Sequence, residues 1–182
     1  MISIHTQIPG LLVIEPKVFR DHRGFFFESF NRREFLELTG RDVDFVQDNH
    51  SRSTKNALHG LHYQICHPQG KLVRVVKGAI RDIAVDIRRG SPTFGKYVET
   101  ELSAENTRML WVPEGFAHGF VSVSDTVELL YKLTDYWYPE HERCIRWDDR
   151  DLAIDWKLED AAVILSDRDA RGIPFAEAEL FE

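Results

Sequence analysis

The chain has 182 residues, one domain at roughly 150 residues per domain, and 43% of them are apolar, enough for one sizeable core. Charged residues at 29% alongside aromatics at 12% exclude a disordered chain. A net charge of −7 excludes nucleic-acid binding driven by bulk charge, so a polyanionic ligand has to meet a local basic cluster.

The N-terminal stretch MISIHTQIPGLLVIEP has no basic region, and Glu15 cuts its apolar run short, so it is not read as a signal peptide. Leu11–Glu15 and Gly24–Phe30 read as the first strands. A helix follows: Asn31 caps it, Glu34 sits three residues on, Phe35 and Leu38 form its apolar face, and Gly40 stops it. Further strands are expected at Phe45–Asn49, Leu58–Gln64, Lys71–Lys77 and Ala79–Arg88, with Gly78 at a hairpin turn that needs positive φ. Ile83, Val85 and Ile87 alternate with period two, as on a half-buried strand. Tyr97–Leu102, Met109–Val112, Gly119–Val123 and Val127–Leu133 complete the strands. In the last of them Val127, Leu129, Tyr131 and Leu133 share a face. Residues 148–182 lose the alternation and read as short helices in a packed C-terminal extension. The expected fold is mainly β, an antiparallel sandwich or barrel in a single domain of residues 1–182.

No run approaches ~18 uninterrupted apolar residues, so no membrane helix is expected. Cys66 and Cys144 are too few for a disulfide framework, which points to a reduced, cytoplasmic chain. The sequence has no GxGxxG after a strand, no GxxxxGK[ST] and no GxSxG, and its cysteines lack zinc spacing.

Chemistry concentrates in two places. Pro113-Glu114-Gly115-Phe116-Ala117-His118-Gly119 forces a turn and then sends His118 into a strand. It resembles the second motif of the cupin barrels, P-x-G-x-x-H; a turn followed by a core histidine is the plain alternative. The second place is His59-Gly60-Leu61-His62-Tyr63-Gln64. Metal-binding cupins carry His-x-His and then Glu, because period two points both imidazoles to one face. Here the spacing is His-x-x-His, which on a regular strand sends the rings to opposite faces. Gln69 and Lys71 stand where a ligating Glu is expected, and an ammonium repels a divalent cation. The expectation is a cupin-type antiparallel jelly-roll barrel with a few short helices and no metal. A pocket with His, Lys and Tyr holds a base, an oxyanion stabiliser and an acid, the set needed for proton abstraction next to a carbonyl.

Matching stretches in order along the chain go further. They are Phe19 to Gly24 with Glu28, Phe45 to Ser51, Gly60 to Gln64, Gly70 to Arg74, Val85 to Arg88, Ser91 to Gly95, Leu102 to Asn106, Pro113 to Phe120 and Glu128 to Lys132. With these the chain resembles the dTDP-4-dehydrorhamnose 3,5-epimerase family. The resemblance implies a cofactor-free homodimer that converts dTDP-4-dehydro-6-deoxy-D-glucose to dTDP-4-dehydro-L-rhamnose, in dTDP-L-rhamnose biosynthesis. It implies His62 as the base, Tyr131 as the acid on the other face of the sugar, Lys71 beside the enolate oxygen, and Asp169 as the carboxylate that orients His62. It also implies ligand contacts from Arg23, Glu28, Gln47, Asp48, Asn49, Lys71, His118, Glu142 and Arg168, with Tyr136 and Trp137 stacking the thymine.

Two positions depart from the family's pattern. His59 stands where the family usually has Arg, and Arg168 where it has Lys. His59 reaches a ligand shared with His62 only if Gly60 permits a bulge or the ligand spans the strand end. Related chemistries fit the same base and acid: a mono-epimerase, or a ketoisomerase on a related dTDP-4-keto sugar. A metal-dependent cupin and a non-catalytic sugar-nucleotide-binding cupin are the readings from other classes.

Overall fold

The computed structural model describes residues 1–158 and 162–182. Two antiparallel sheets pack face to face. One is ordered β1 (Ile2–His5), β2 (Leu12–Glu15), β10 (Met109–Val112), β7 (Lys71–Lys77), β12 (Thr126–Leu133), β5 (Gln47–Thr54). The other is ordered β13 (Glu142–Cys144), β6 (Leu58–Gln64), β11 (Phe116–Ser122), β8 (Ala79–Asp86), β9 (Tyr97–Ser103). A hairpin of β3 (Phe19–Asp21) and β4 (Gly24–Phe26) stands apart from both. The fold is the expected mainly-β, cupin-type antiparallel barrel.

The inner core joins the two sheets. Val13, Val73, Val75, Leu110, Val127 and Leu129 of the six-stranded sheet meet Ile80, Ala84, Leu102, Phe116 and Phe120 of the five-stranded one. The five-stranded sheet is covered on its outer face too, where Leu61, Tyr63, Ile83, Val85 and Ile145 pack on Leu152, Trp156 and Ala178 from the C-terminal extension. That double burial explains why all seven residues of β11 are buried. The outer face of the six-stranded sheet is covered in part by α1 (Arg32–Thr39), whose Phe35 packs edge-on against Trp111. Asn31 caps this helix through a hydrogen bond from the Glu34 N–H, and Gly40 ends it at φ +69°, as its sequence indicates.

Several strands differ from expectation. The strand expected at Gly24–Phe30 stops at Phe26. The strand expected at Phe45–Asn49 runs Gln47–Thr54: its side chains alternate in burial but are polar, so apolar periodicity is blind to them. The strand expected at Gly119–Val123 begins at Phe116, and β8 ends at Asp86 instead of Arg88. Strands β1, β3 and β13 have no counterpart in the sequence reading. The extension forms two single-turn 3₁₀ segments, Asp169–Arg171 and Phe175–Glu177, and otherwise irregular chain among its described residues.

Candidate active site

Inward positions along the strands change from apolar to polar toward one end of the barrel. On β7 Val75 and Val73 give way to Lys71, and on β12 Val127 and Leu129 give way to Tyr131. The polar end is a cavity of about 400 Å³. Gln47, Asn49, His59, His62, Lys71, His118, Tyr131, Trp137, Glu142 and Arg168 all line it, which unites most of the residues singled out from the sequence.

A bulge in β6 sets the histidine geometry. His62 pairs with His118 and His59 with Phe120, so Gly119 alone faces both Gly60 and Leu61. The extra residue reverses parity and turns His59 and His62 to one face. A Cβ on Gly60 would fall 2.6 Å from the His118 carbonyl oxygen, and one on Gly119 would fall 2.5 Å from that of His59. Gly60 also sits at φ +106°, a region L-residues with a Cβ rarely adopt, and the Gly60–Leu61 peptide is cis.

His62 and Asp169 form a close pair: Nε2 lies 2.6 Å from Oδ1, with the carboxylate almost wholly buried. The ring N–H is not aimed squarely at the oxygen, so the contact meets the distance of an ion pair but not the angle of a well-formed hydrogen bond. Asp169 also accepts from the Gly60 N–H at 3.2 Å and the Ser166 hydroxyl at 2.7 Å. Burial pushes its carboxyl pKa up, but His62, Ser166 and Gly60 together outweigh it and hold it at about 2. Asp169 is therefore ionised at any working pH.

Lys71 donates to the His62 carbonyl at 3.3 Å. Its ammonium opens onto the cavity yet lies deep in the protein mass, and that desolvation lowers its pKa to about 8, against the opposing pull of Glu142 and Asp82. Tyr131 lies on the opposite sheet from His62, between Asn49 and Val73. Behind the cavity, His118 Nε2 meets the buried Asp82 at 2.8 Å. At the mouth, Glu142 Oε2 takes both the Trp137 indole N–H and Arg168, each at 2.5 Å.

His59 stacks on Phe120, with ring centroids 4.6 Å apart, and shares a hydrogen bond with Ser53 at 2.9 Å. Burial lowers its pKa, Asp169 partly opposing. It thus enters the cavity wall as a neutral ring at neutral pH, unlike an Arg.

Four expected contacts do not line the cavity in their own chain. Asp48 points to the outer face of β5, between the inward Gln47 and Asn49, and pairs with Lys132 at 2.9 Å. Arg23 is 79% exposed beside Asp21. Glu28, joined to Asn31 at 3.3 Å, follows the β3–β4 hairpin. Tyr136 projects into solvent next to Trp137.

Ser51 and Phe120 line the cavity, and Asp82 and Ser166 support its histidine and carboxylate, without having been singled out; Gln69, noted only as standing where a metal ligand is expected, lines it too. Asp82 carried no signal, because with Ile83, Val85 and Ile87 on the apolar side of a half-buried strand it falls on the side expected to be polar. His62, Cys144 and Asp169 bring donor atoms within 4.8 Å of one another, the one metal-type cluster among the described residues. Burial, reinforced by Asp169, pushes the Cys144 thiol to about 12.

The description "dTDP-4-dehydrorhamnose 3,5-epimerase" belongs to the family profile that matches residues 5–177. The chain is 59% identical over 181 residues to the dTDP-4-dehydrorhamnose 3,5-epimerase of Pseudomonas aeruginosa, spanning 100% of this chain and 99% of that one. It is 51% identical, at a TM-score of 0.94, to the crystal structure of the dTDP-6-deoxy-D-glucose-3,5-epimerase RmlC from Legionella pneumophila in complex with dTDP-4-keto-L-rhamnose, covering 97% and 94% of the two chains. ChmJ, a 3'-monoepimerase from Streptomyces bikiniensis solved with dTDP-quinovose, is 34% identical at a TM-score of 0.89, covering 97% and 88%.

Proposed function

The chain belongs to the dTDP-4-dehydrorhamnose 3,5-epimerase family, and we propose that it inverts both carbons flanking the ketone of dTDP-4-dehydro-6-deoxy-D-glucose. The product, dTDP-4-dehydro-L-rhamnose, enters dTDP-L-rhamnose biosynthesis. One observation carries the mechanism: His62 and Tyr131 project from opposite sheets into one cavity, with Lys71 on its wall.

His62 takes the proton from the carbon next to the ketone, and the C–H electron pair moves onto the carbonyl oxygen. The Lys71 ammonium stabilises the resulting enolate. Tyr131 delivers a proton to the opposite face of that carbon, and the ketone re-forms with inverted configuration. His62 then releases its proton, Tyr131 regains one, and the cycle repeats at the second carbon. Protons move but no electrons leave the substrate, so the reaction calls for no cofactor. Asp169 holds the His62 ring in place and faces the imidazolium that forms with a negative charge, as a carboxylate behind an imidazole does.

Arg168, paired with Glu142 at the cavity mouth, and the Lys71 ammonium deeper in are cationic groups of the cavity available to a diphosphate. Trp137 offers the thymine an open indole face. Arg23 and Glu28 act on a ligand only in a homodimer, where the β3–β4 hairpin of one copy reaches the cavity of the other. Phe19, Phe25 and Phe26 on that hairpin are 53, 59 and 66% exposed, an aromatic surface that a second copy would cover. No described helix is long and apolar enough to cross a membrane; two free thiols support a reaction in the cytoplasm.

Turnover of the dTDP-4-keto sugar by purified protein tests the proposal. An L-configured product is expected from the wild type. With Tyr131→Phe, loss of substrate protons through His62 is expected to outpace inversion. No L-sugar from the wild type, or unchanged inversion in Tyr131→Phe, contradicts it.

A further inference from the structure

Gln64 has no part in the proton transfers, yet its side chain is among the most constrained near the cavity. It is 3% exposed. Its amide nitrogen donates to the carbonyl of His67 at 2.7 Å and to that of Tyr136 at 3.1 Å. Its amide oxygen accepts from the Tyr138 N–H at 2.7 Å. Two carbonyls on one side and one N–H on the other leave a single amide orientation that satisfies all three.

These bonds grip the backbone on both sides of Trp137. That loop has little packing of its own, since Tyr136 and Trp137 are 55% and 53% exposed. Polar contacts hold it instead: Gln64 from beneath, Gln47 through the Trp137 N–H at 3.0 Å, and Glu142 through the indole N–H. The register places Gln64 opposite Glu142 and His62 opposite Cys144 across β6 and β13. The base and the grip on the loop are therefore two residues apart on one strand, roughly 7 Å.

We propose that Gln64 is a positioning residue that sets the nucleobase platform, Trp137, at a fixed distance from the base, His62. The proposal rests on reading the cavity as a nucleotide-sugar site. The nucleobase, remote from the reacting carbons, then contributes binding that ground state and transition state share, so loss of the platform is read in affinity more than in turnover.

The test is Gln64→Met, which keeps the volume and removes all three hydrogen bonds. The Kd for dTDP, measured by calorimetry, and the KM for the sugar nucleotide are expected to rise roughly tenfold or more, because the loop that carries Trp137 loses its hydrogen bonds to Gln64. The kcat is expected to fall less than about threefold, because the reacting groups are untouched. In a Trp137→Ala background the same substitution is expected to change dTDP affinity less than about twofold, since both act through one platform. Wild-type dTDP affinity in folded Gln64→Met, or full additivity with Trp137→Ala, overturns the proposal. If circular dichroism shows that Gln64→Met does not fold, Gln64→Glu replaces it: the acceptor for Tyr138 is kept and both donors are lost, so weakening is again expected and wild-type affinity overturns. Wild-type protein that does not bind dTDP removes the nucleotide-sugar reading itself, an outcome distinct from a Gln64 variant that binds normally.

Discussion

A carboxylate held ionised behind an imidazole orients the His62 ring, and replacing either partner has a graded cost. His62→Asn keeps the size and cannot accept the proton, so turnover is expected to fall by about 10²–10⁴-fold. Asp169→Asn is expected to lose about 10–100-fold, because it orients the base without moving the proton. Near-normal turnover in His62→Asn would remove the base, and both variants are to be checked for native circular dichroism. Lys71 supplies a pH signature. Desolvation lowers its pKa to about 8, so the ammonium is charged below that pH and lost as pH rises through it. The kcat/KM of the free enzyme is expected to decline above about pH 8, while Lys71→Met is expected to be uniformly slow without that limb. A wild-type profile flat to about pH 9.5 contradicts the role. His59 behaves differently: burial lowers its pKa, so it is already neutral where the enzyme works. The KM–pH curves of wild type and His59→Ala are expected to run parallel above about pH 7, and a steep rise confined to the wild type would make His59 a phosphate-binding cation. Tyr131 was legible at this scale because period two placed it among Val127, Leu129 and Leu133. Asp169 was legible only through family resemblance, since nothing local distinguishes it from neighbouring aspartates until the chain folds back onto β6.

The bulge in β6 is the element on which the site turns. Strand parity alone separates His59 from His62, and Gly60 was the one sign that parity could fail; the extra residue opposite Gly119 is a tertiary event with no sequence period. Gly119→Ala would place a Cβ 2.5 Å from the His59 carbonyl oxygen, between two backbones with no room to give. The expected loss is about 2–3 kcal/mol in urea unfolding, together with a fall in turnover as His62 moves. A neutral substitution would show that the strands separate there without cost. Strand β5 shows the opposite limit: Gln47, Asn49 and Ser51 face the cavity, where a polar lining replaces the apolar stripe by which strands are found in sequence. The same alternation directs Asp48 outward, which a motif match read residue by residue does not register. Helix α1 was legible from both ends, because its cap and its stop are local chemistry.

At the scale of the whole molecule, the strand spacing and the Pro113–Gly119 turn conveyed the barrel, while the pairing of β13 beside β6 and the docking of the extension through Trp156 depended on contacts far apart in sequence. Among the described residues the β3–β4 hairpin is left exposed. Light scattering is expected to give about twice the chain mass of 21.2 kDa. Phe25→Asp with Phe26→Asp is expected to yield monomers with a raised KM, since Arg23 and Glu28 would no longer reach a second cavity. A monomeric, fully active wild type contradicts that arrangement. The central claim, that one cavity inverts both carbons by abstraction at His62 and delivery from Tyr131, is tested most directly by NMR in deuterated water with dTDP-4-dehydro-6-deoxy-D-glucose. The account predicts deuterium at both carbons flanking the ketone, in the wild type and not in His62→Asn; incorporation at one carbon alone, or at neither, would contradict it.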